Sequence, residues 1–137
     1  MLKFQIFKKK NLAKKITNIH NITTGANTYF AQVVFHQIKK NEHFMGGKTV
    51  KGKELFVNGQ IRAGRTDEVK NNLIIGIRDG VMEILKLPKE NVWVYLEDLE
   101  PNQMIEYGEI LPRSGEEKIW FDKLSPKLKK KLNDLER

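Results

Sequence analysis

Arg62 and Arg65 are the side chains whose type and spacing most directly offer chemistry in this chain. They lie in Arg62-Ala63-Gly64-Arg65-Thr66-Asp67-Glu68, between an apolar run, Leu55-Phe56-Val57, and a long helical pattern. A strand that hands over to a helix presents free backbone N–H groups and the positive end of a dipole. Two guanidinium groups at that point can take a carboxylate bidentately, and they stay charged at any working pH. The competing reading is plain surface charge in a lysine-rich protein.

Other chemistries are narrower. The 137-residue chain has no cysteine, which excludes disulfides, thiol nucleophiles and zinc–thiolate sites and makes a reducing cytoplasm the expected compartment. His36 and His43 lack any histidine or carboxylate spacing that suggests a metal, and both read as structural. No apolar run approaches the roughly 18 residues of a membrane span. The first ten residues lack the order of charge, apolar core and small-residue site that marks a signal peptide. A net charge of +8 favours an acidic partner, nucleic acid included. Much of that excess, however, sits in lysine clusters at Lys8 to Lys10, Lys14-Lys15, Lys39-Lys40 and Lys127 to Lys131, which read as solvated surface. With no helix-turn-helix, aromatic ribonucleoprotein motif or finger, a nucleic-acid or protein binding module is the minor alternative.

Periodicity supplies the elements that must position the arginines. Leu2, Phe4 and Ile6 alternate with Lys3, Gln5 and Phe7, which predicts a strand over residues 2–7. Leu12, Ile16 and Ile19 predict a short helix over 11–21, with His20 near its end and Thr23-Thr24-Gly25 as its stop. Thr28 to Ile38 is rich in Tyr, Phe and Val and predicts a long strand. Lys39 to Lys53 reads as a loop or ragged hairpin. Glu54 to Ile61 predicts a strand with a bulge or tight turn at Asn58-Gly59.

Thr66 or Asp67 caps the longest helix, whose stripe of Val69, Leu73, Ile77, Val81 and Ile84 runs to Pro88. Gly76 and Gly80 on it would admit a strand or a neighbouring subunit. Asn91 to Glu97 predicts the last strong strand. Trp120-Phe121 reads as an apolar anchor, and Ser125-Pro126 opens a basic final helix. The expected architecture is a single α/β domain over residues 1–137. It comprises a first β-α-β half (1–38), a second (54–97), two helices on one face of a mixed sheet, and a C-terminal extension (98–137) with a hairpin and short helix.

Several stretches in this order resemble a known family. His20, Tyr29-Phe30-Ala31-Gln32-Val33-Val34-Phe35, Arg62-Ala63-Gly64-Arg65, Trp93-Val94-Tyr95, Gln103-Met104-Ile105-Glu106-Tyr107-Gly108 and Trp120-Phe121-Asp122 are similar to the cis-3-chloroacrylic acid dehalogenase-like branch of the tautomerase superfamily. The resemblance spans about residues 11–123. It implies a duplicated β-α-β fold assembled as a homotrimer, with no metal or organic cofactor and small unsaturated or enolic carboxylates as substrates. It also implies residue roles. Arg62 and Arg65 would bind the substrate carboxylate, His20 would orient the substrate, and Tyr95 with Glu106 would activate water. An amino-terminal proline would be the proton donor or base.

This sequence departs from the pattern at that proline. It begins Met1-Leu2, and its prolines are Pro88, Pro101, Pro112 and Pro126. The stretch before His20 is also roughly seven residues shorter than the family pattern. The resulting expectation is a diverged member that keeps a small-carboxylate pocket and has little or no hydratase or dehalogenase activity. The alternative is a weak tautomerase or hydratase that uses the Met1 amine, which ordinarily titrates near ~7.7–8.0, or Glu106.

Overall fold

Leu73, Ile77 and Val81 recur at helical spacing and are all buried, so one helix carries the centre of the core. A computed structural model describes residues 2–136 of the chain, with side chains described from residue 5 onward. The central helix, α2 (Asp67–Leu85), links two strands, β3 (Leu55–Arg62) and β4 (Val92–Leu99). These pair in parallel from Leu55↔Val92 to Arg62↔Leu99. Parallel neighbours need a crossover, and α2 supplies it. Thr66 caps α2 by accepting a hydrogen bond from Val69 N at 3.2 Å. β3 runs straight through Asn58-Gly59 with no bulge or turn. A side chain at Gly59 would come within 3.1 Å of Leu96 Cδ2, so the glycine makes room for the cross-strand leucine.

The inner face of this pair (Leu55, Val57, Ile61, Val92, Val94, Leu96) packs with α2 and with the first helix, α1 (Leu2–Thr24). Both helices join one cluster on that face. α1 runs antiparallel to α2: Ile19 lies against Gly76 and Gly80, while Lys15 reaches Gly80 and pairs with Glu83 at 3.0 Å. The small residues of α2 therefore admit a helix of the same chain, not a strand or a second subunit.

The first half departs from its expected plan. Residues 2–7 are the opening turns of α1, not a strand. Between Leu2 and Lys10 no glycine, proline or run of β-branched residues interrupts a helix, and Leu, Lys and Gln favour one. A strand over Thr28–Ile38 is likewise not formed. Thr28–Phe30 is a turn of 3-10 helix, and residues 31–39 join no ladder. The backbone that would have paired with them is committed to α1. The β-α-β half over 1–38 is thus a helix and an unpaired segment, and its duplicate over 54–97 is complete.

Short hairpins complete the chain. β1 (Phe44–Met45) pairs with β2 (Lys48–Thr49), and β5 (Ile105–Glu106) pairs with β6 (Glu109–Ile110). The second turns through Tyr107 and Gly108, both at positive φ (55° and 81°), the pattern of a type I′ turn. Helices α3 (Glu117–Asp122) and α4 (Pro126–Glu136) follow. Leu124 and Leu132 are buried with Tyr29, and Phe30, Tyr107, Trp120 and Phe121 surround them in a second cluster. The Glu136 carboxylate accepts from Thr28 N at 2.9 Å, which ties α4 to the 3-10 turn. Among the described residues, no helix is long and apolar enough to cross a membrane.

Candidate functional site

The two clusters meet at Arg62. As the last residue of β3 it leaves the sheet just where Ala63 N donates the final 2.7 Å bond to Leu99 O. Gly64 follows at φ 110°, a backbone conformation open to glycine, and this sharp exit puts Arg65 immediately before the α2 cap. The Arg62 guanidinium is buried. Nη1 donates to Pro112 O at 2.8 Å, Nη2 donates to Glu117 Oε1 at 2.9 Å, and the group stacks over the Phe30 ring, 4.7 Å from its centroid. Arg65 turns back and donates from Nη1 to Arg62 O at 2.7 Å. It forms no ion pair among the described residues. Burial and the neighbouring Arg62 lower its pKa.

His20 comes from the last turns of α1. Gly25, at φ 75°, ends the helix by donating to Asn21 O at 2.9 Å, and the Thr24 hydroxyl bonds His20 O at 2.6 Å. These bonds fix the backbone at the end of α1, from which the imidazole projects. Burial first, and then the charges of Arg65 and Arg62, push its pKa down to about 4. The ring is therefore neutral near pH 7.

Glu106 comes from β5, whose hairpin is anchored by a hydrogen bond from the Tyr107 hydroxyl to Tyr29 O. Burial raises the Glu106 pKa, and Arg62 opposes the rise. Among the described residues, the buried side-chain polar atoms without a hydrogen-bond partner are His20 Nδ1, Glu54 Oε2, Arg65 Nε and Glu106 Oε2. Three of these belong to expected site residues. Such atoms are costly when left unmatched, so a polar ligand or water is their natural complement.

The charge of Arg62 thus acts on Arg65, His20 and Glu106, and that of Arg65 acts on His20. Tyr95 does not join them. It pairs with Asn58, while Arg62 pairs with Leu99, roughly 13 Å further along the ladder. Its ring sits on the face of the sheet away from α2, stacked beside Trp93 and edge-on to Phe56, with centroids 6.4 and 4.8 Å away. The proposed Met1 amine lies outside the described residues. Glu117, Pro112 and Phe30 are the partners that residue-by-residue reasoning missed. Glu117 is 55 positions from Arg62 in sequence, and no spacing rule connects them.

Among the described residues, no group of three or more His, Asp or Glu side chains is placed to hold a metal ion. Two surface hollows lie elsewhere. One, of about 420 Å³, is lined by Lys127, Lys130, Lys131, Asp134 and Leu135 of α4; the other, of about 210 Å³, lies between α2 and β4.

Comparison with known proteins brings further findings. Residues 3–123 match the family profile described as "Putative oxalocrotonate tautomerase enzyme". Among solved structures, the chain is similar to N1, a member of the cis-3-chloroacrylic acid dehalogenase family. The identity is 33% and the TM-score 0.88, over 90% of this chain and 86% of that one. It also resembles Pt0534 inactivated by 2-oxo-3-pentynoate, with 25% identity and TM-score 0.67, over 76% and 84% of the two chains. A fused 4-OT, a symmetric trimer, shares the fold at 22% identity and TM-score 0.69, over 76% and 84%. No curated protein matches the chain closely in sequence.

Proposed function

This chain belongs to the tautomerase superfamily, in its cis-3-chloroacrylic acid dehalogenase-like branch, and from that premise we propose that it binds a small unsaturated or enolic carboxylate beside Arg65, Arg62, His20 and Glu106. The observation that carries this reading is the set of buried polar atoms left without partners at His20 Nδ1, Arg65 Nε and Glu106 Oε2. A carboxylate matches the arginine, and a neutral imidazole can donate to it or orient it. Calorimetric titration with acrylate tests the reading. Wild type should bind, and Arg65→Ala should weaken binding by roughly 10- to 100-fold, the worth of a charged hydrogen bond. Equal affinity in the two proteins would sink it.

We further propose that turnover is weak or absent. Attack of water on an unsaturated acid needs a base near the water and a proton donor for the carbon. In this chain α1 rises ~27 Å from Leu2 to His20, so its amino-terminal end is remote from the arginines. Tyr95 is also displaced from them within the chain. The observation that favours some residual activity is Glu106, whose raised pKa suits a general base. Conversion of an enolpyruvate at a rate that Glu106→Gln abolishes would establish that second reading over the first.

The same proposal includes a homotrimer. Its support is the apolar face of the sheet, where Phe56, Trp93 and Tyr95 are exposed together, and the trimeric state of the fused 4-OT. Light scattering on Trp93→Glu should report a monomer if that face is the interface.

A further inference from the structure

Glu117 already occupies Arg62. The carboxylate sits 2.9 Å from Nη2, Pro112 O holds Nη1, and Phe30 closes one face of the guanidinium. The Arg62 side chain is only 4% exposed and that of Glu117 21%, so the pair is shielded from solvent and from screening salt. Arg65 has a different set of contacts. It gives Nη1 to a backbone carbonyl, keeps Nε without a partner, and forms no ion pair among the described residues. The two arginines are therefore one locked cation and one open cation.

We infer that Glu117 is a specificity-determining residue: an internal carboxylate that neutralises Arg62, so that an incoming ligand is held as a monocarboxylate by Arg65 beside His20. This inference rests on the carboxylate reading above. A second carboxylate on the ligand would meet Glu117 and Glu106 with no cation left to receive it, and repulsion of that kind is how a site rejects a near neighbour of its ligand. Removing the Glu117 charge would return Arg62 to the ligand and open the site to dicarboxylates.

Acrylate and maleate, with one and two carboxylates, are the probes. They are titrated calorimetrically into wild type, Arg65→Ala and Glu117→Gln; glutamine keeps the shape and can still accept from Arg62. Wild type should prefer acrylate, and Glu117→Gln should raise maleate affinity about tenfold or more while moving acrylate far less. An unchanged maleate-to-acrylate ratio overturns the role of Glu117, even when acrylate binding that depends on Arg65 upholds the site. Absence of acrylate binding to wild type, or binding indifferent to Arg65, overturns both. Should Glu117→Gln fail to fold by circular dichroism, guanidinium NMR of wild type decides. Acrylate should move the Arg65 Nε signal and leave that of Arg62 in place, and equal movement of the two overturns the inference.

Discussion

The β3–α2–β4 unit and the stretch from α1 to Lys39 hold their helices in different ways. α2 is gripped on two sides: Leu73, Ile77 and Val81 are buried between the strands and α1. α1 is gripped along part of one side, through Leu12, Lys15 and Ile19, while Ile6 and Phe7 stand in the open. A helix becomes part of the core where a sheet gives it a surface to cover, and its own propensity then matters little. The same difference passes to the site. Arg62, rooted in the sheet, is immobilised, whereas His20 depends on the end of a helix that docks on another helix.

The largest expected effect breaks this contrast directly. Leu73 is 1% exposed and Phe7 61%. Leu73→Ala should cost about 2–5 kcal/mol in urea denaturation, and Phe7→Ala should stay within about 0.5 kcal/mol. Comparable losses would mean that the start of α1 is packed after all. Next comes Arg62→Ala, which strands a Glu117 that is only a fifth exposed; it should cost about 2–4 kcal/mol. Arg65→Ala removes one hydrogen bond to a carbonyl and should cost nearer 1 kcal/mol, so the two melts should separate clearly.

A pH series sharpens the contrast at His20. Its pKa is about 4 in the folded chain and near 6.5 in the unfolded one. Between those values the unfolded state binds the extra proton. Stability from this group is therefore full above pH ~6.5 and lost as pH falls towards ~4, on the order of 1–3 kcal/mol in all. His20→Gln should flatten that part of the stability profile.

The smallest effect compares how the two helices stop. α1 ends on Gly25 at φ 75°, and α2 ends on Lys86 at φ 56°, where a side chain is strained. Lys86→Gly should gain about 0.5–1 kcal/mol, visible as a small rise in Tm.

The second half was legible because its signals agree with one another. The apolar alternation of β3, the glycine between the arginines, the Thr66 cap and the stripe of α2 all point to one strand–turn–helix. The first half was not, because Leu2-Lys3-Phe4-Gln5-Ile6-Phe7 alternates like a strand yet holds nothing that resists a helix. Six residues cannot decide between the two without their neighbours. In the candidate site, the spacing of the arginines suggested an anion cradle but left surface charge as a competing reading. His20 and Glu106 became visible through resemblance. Glu117 needed coordinates, because a partner brought in by a distant segment leaves no local trace. Tyr95 was expected, by resemblance, to activate water with Glu106, and within the chain the register of β3 on β4 sets it four residues down the ladder from Arg62.

The bare aromatic face of a two-stranded sheet carries a consequence for how the protein is handled. A parallel pair covered on one side only is an unusual thing to leave in water. If copies cover it for one another, folding and assembly become one equilibrium governed by mass action. The Tm would then climb with protein concentration, and dilution alone would act as a denaturant.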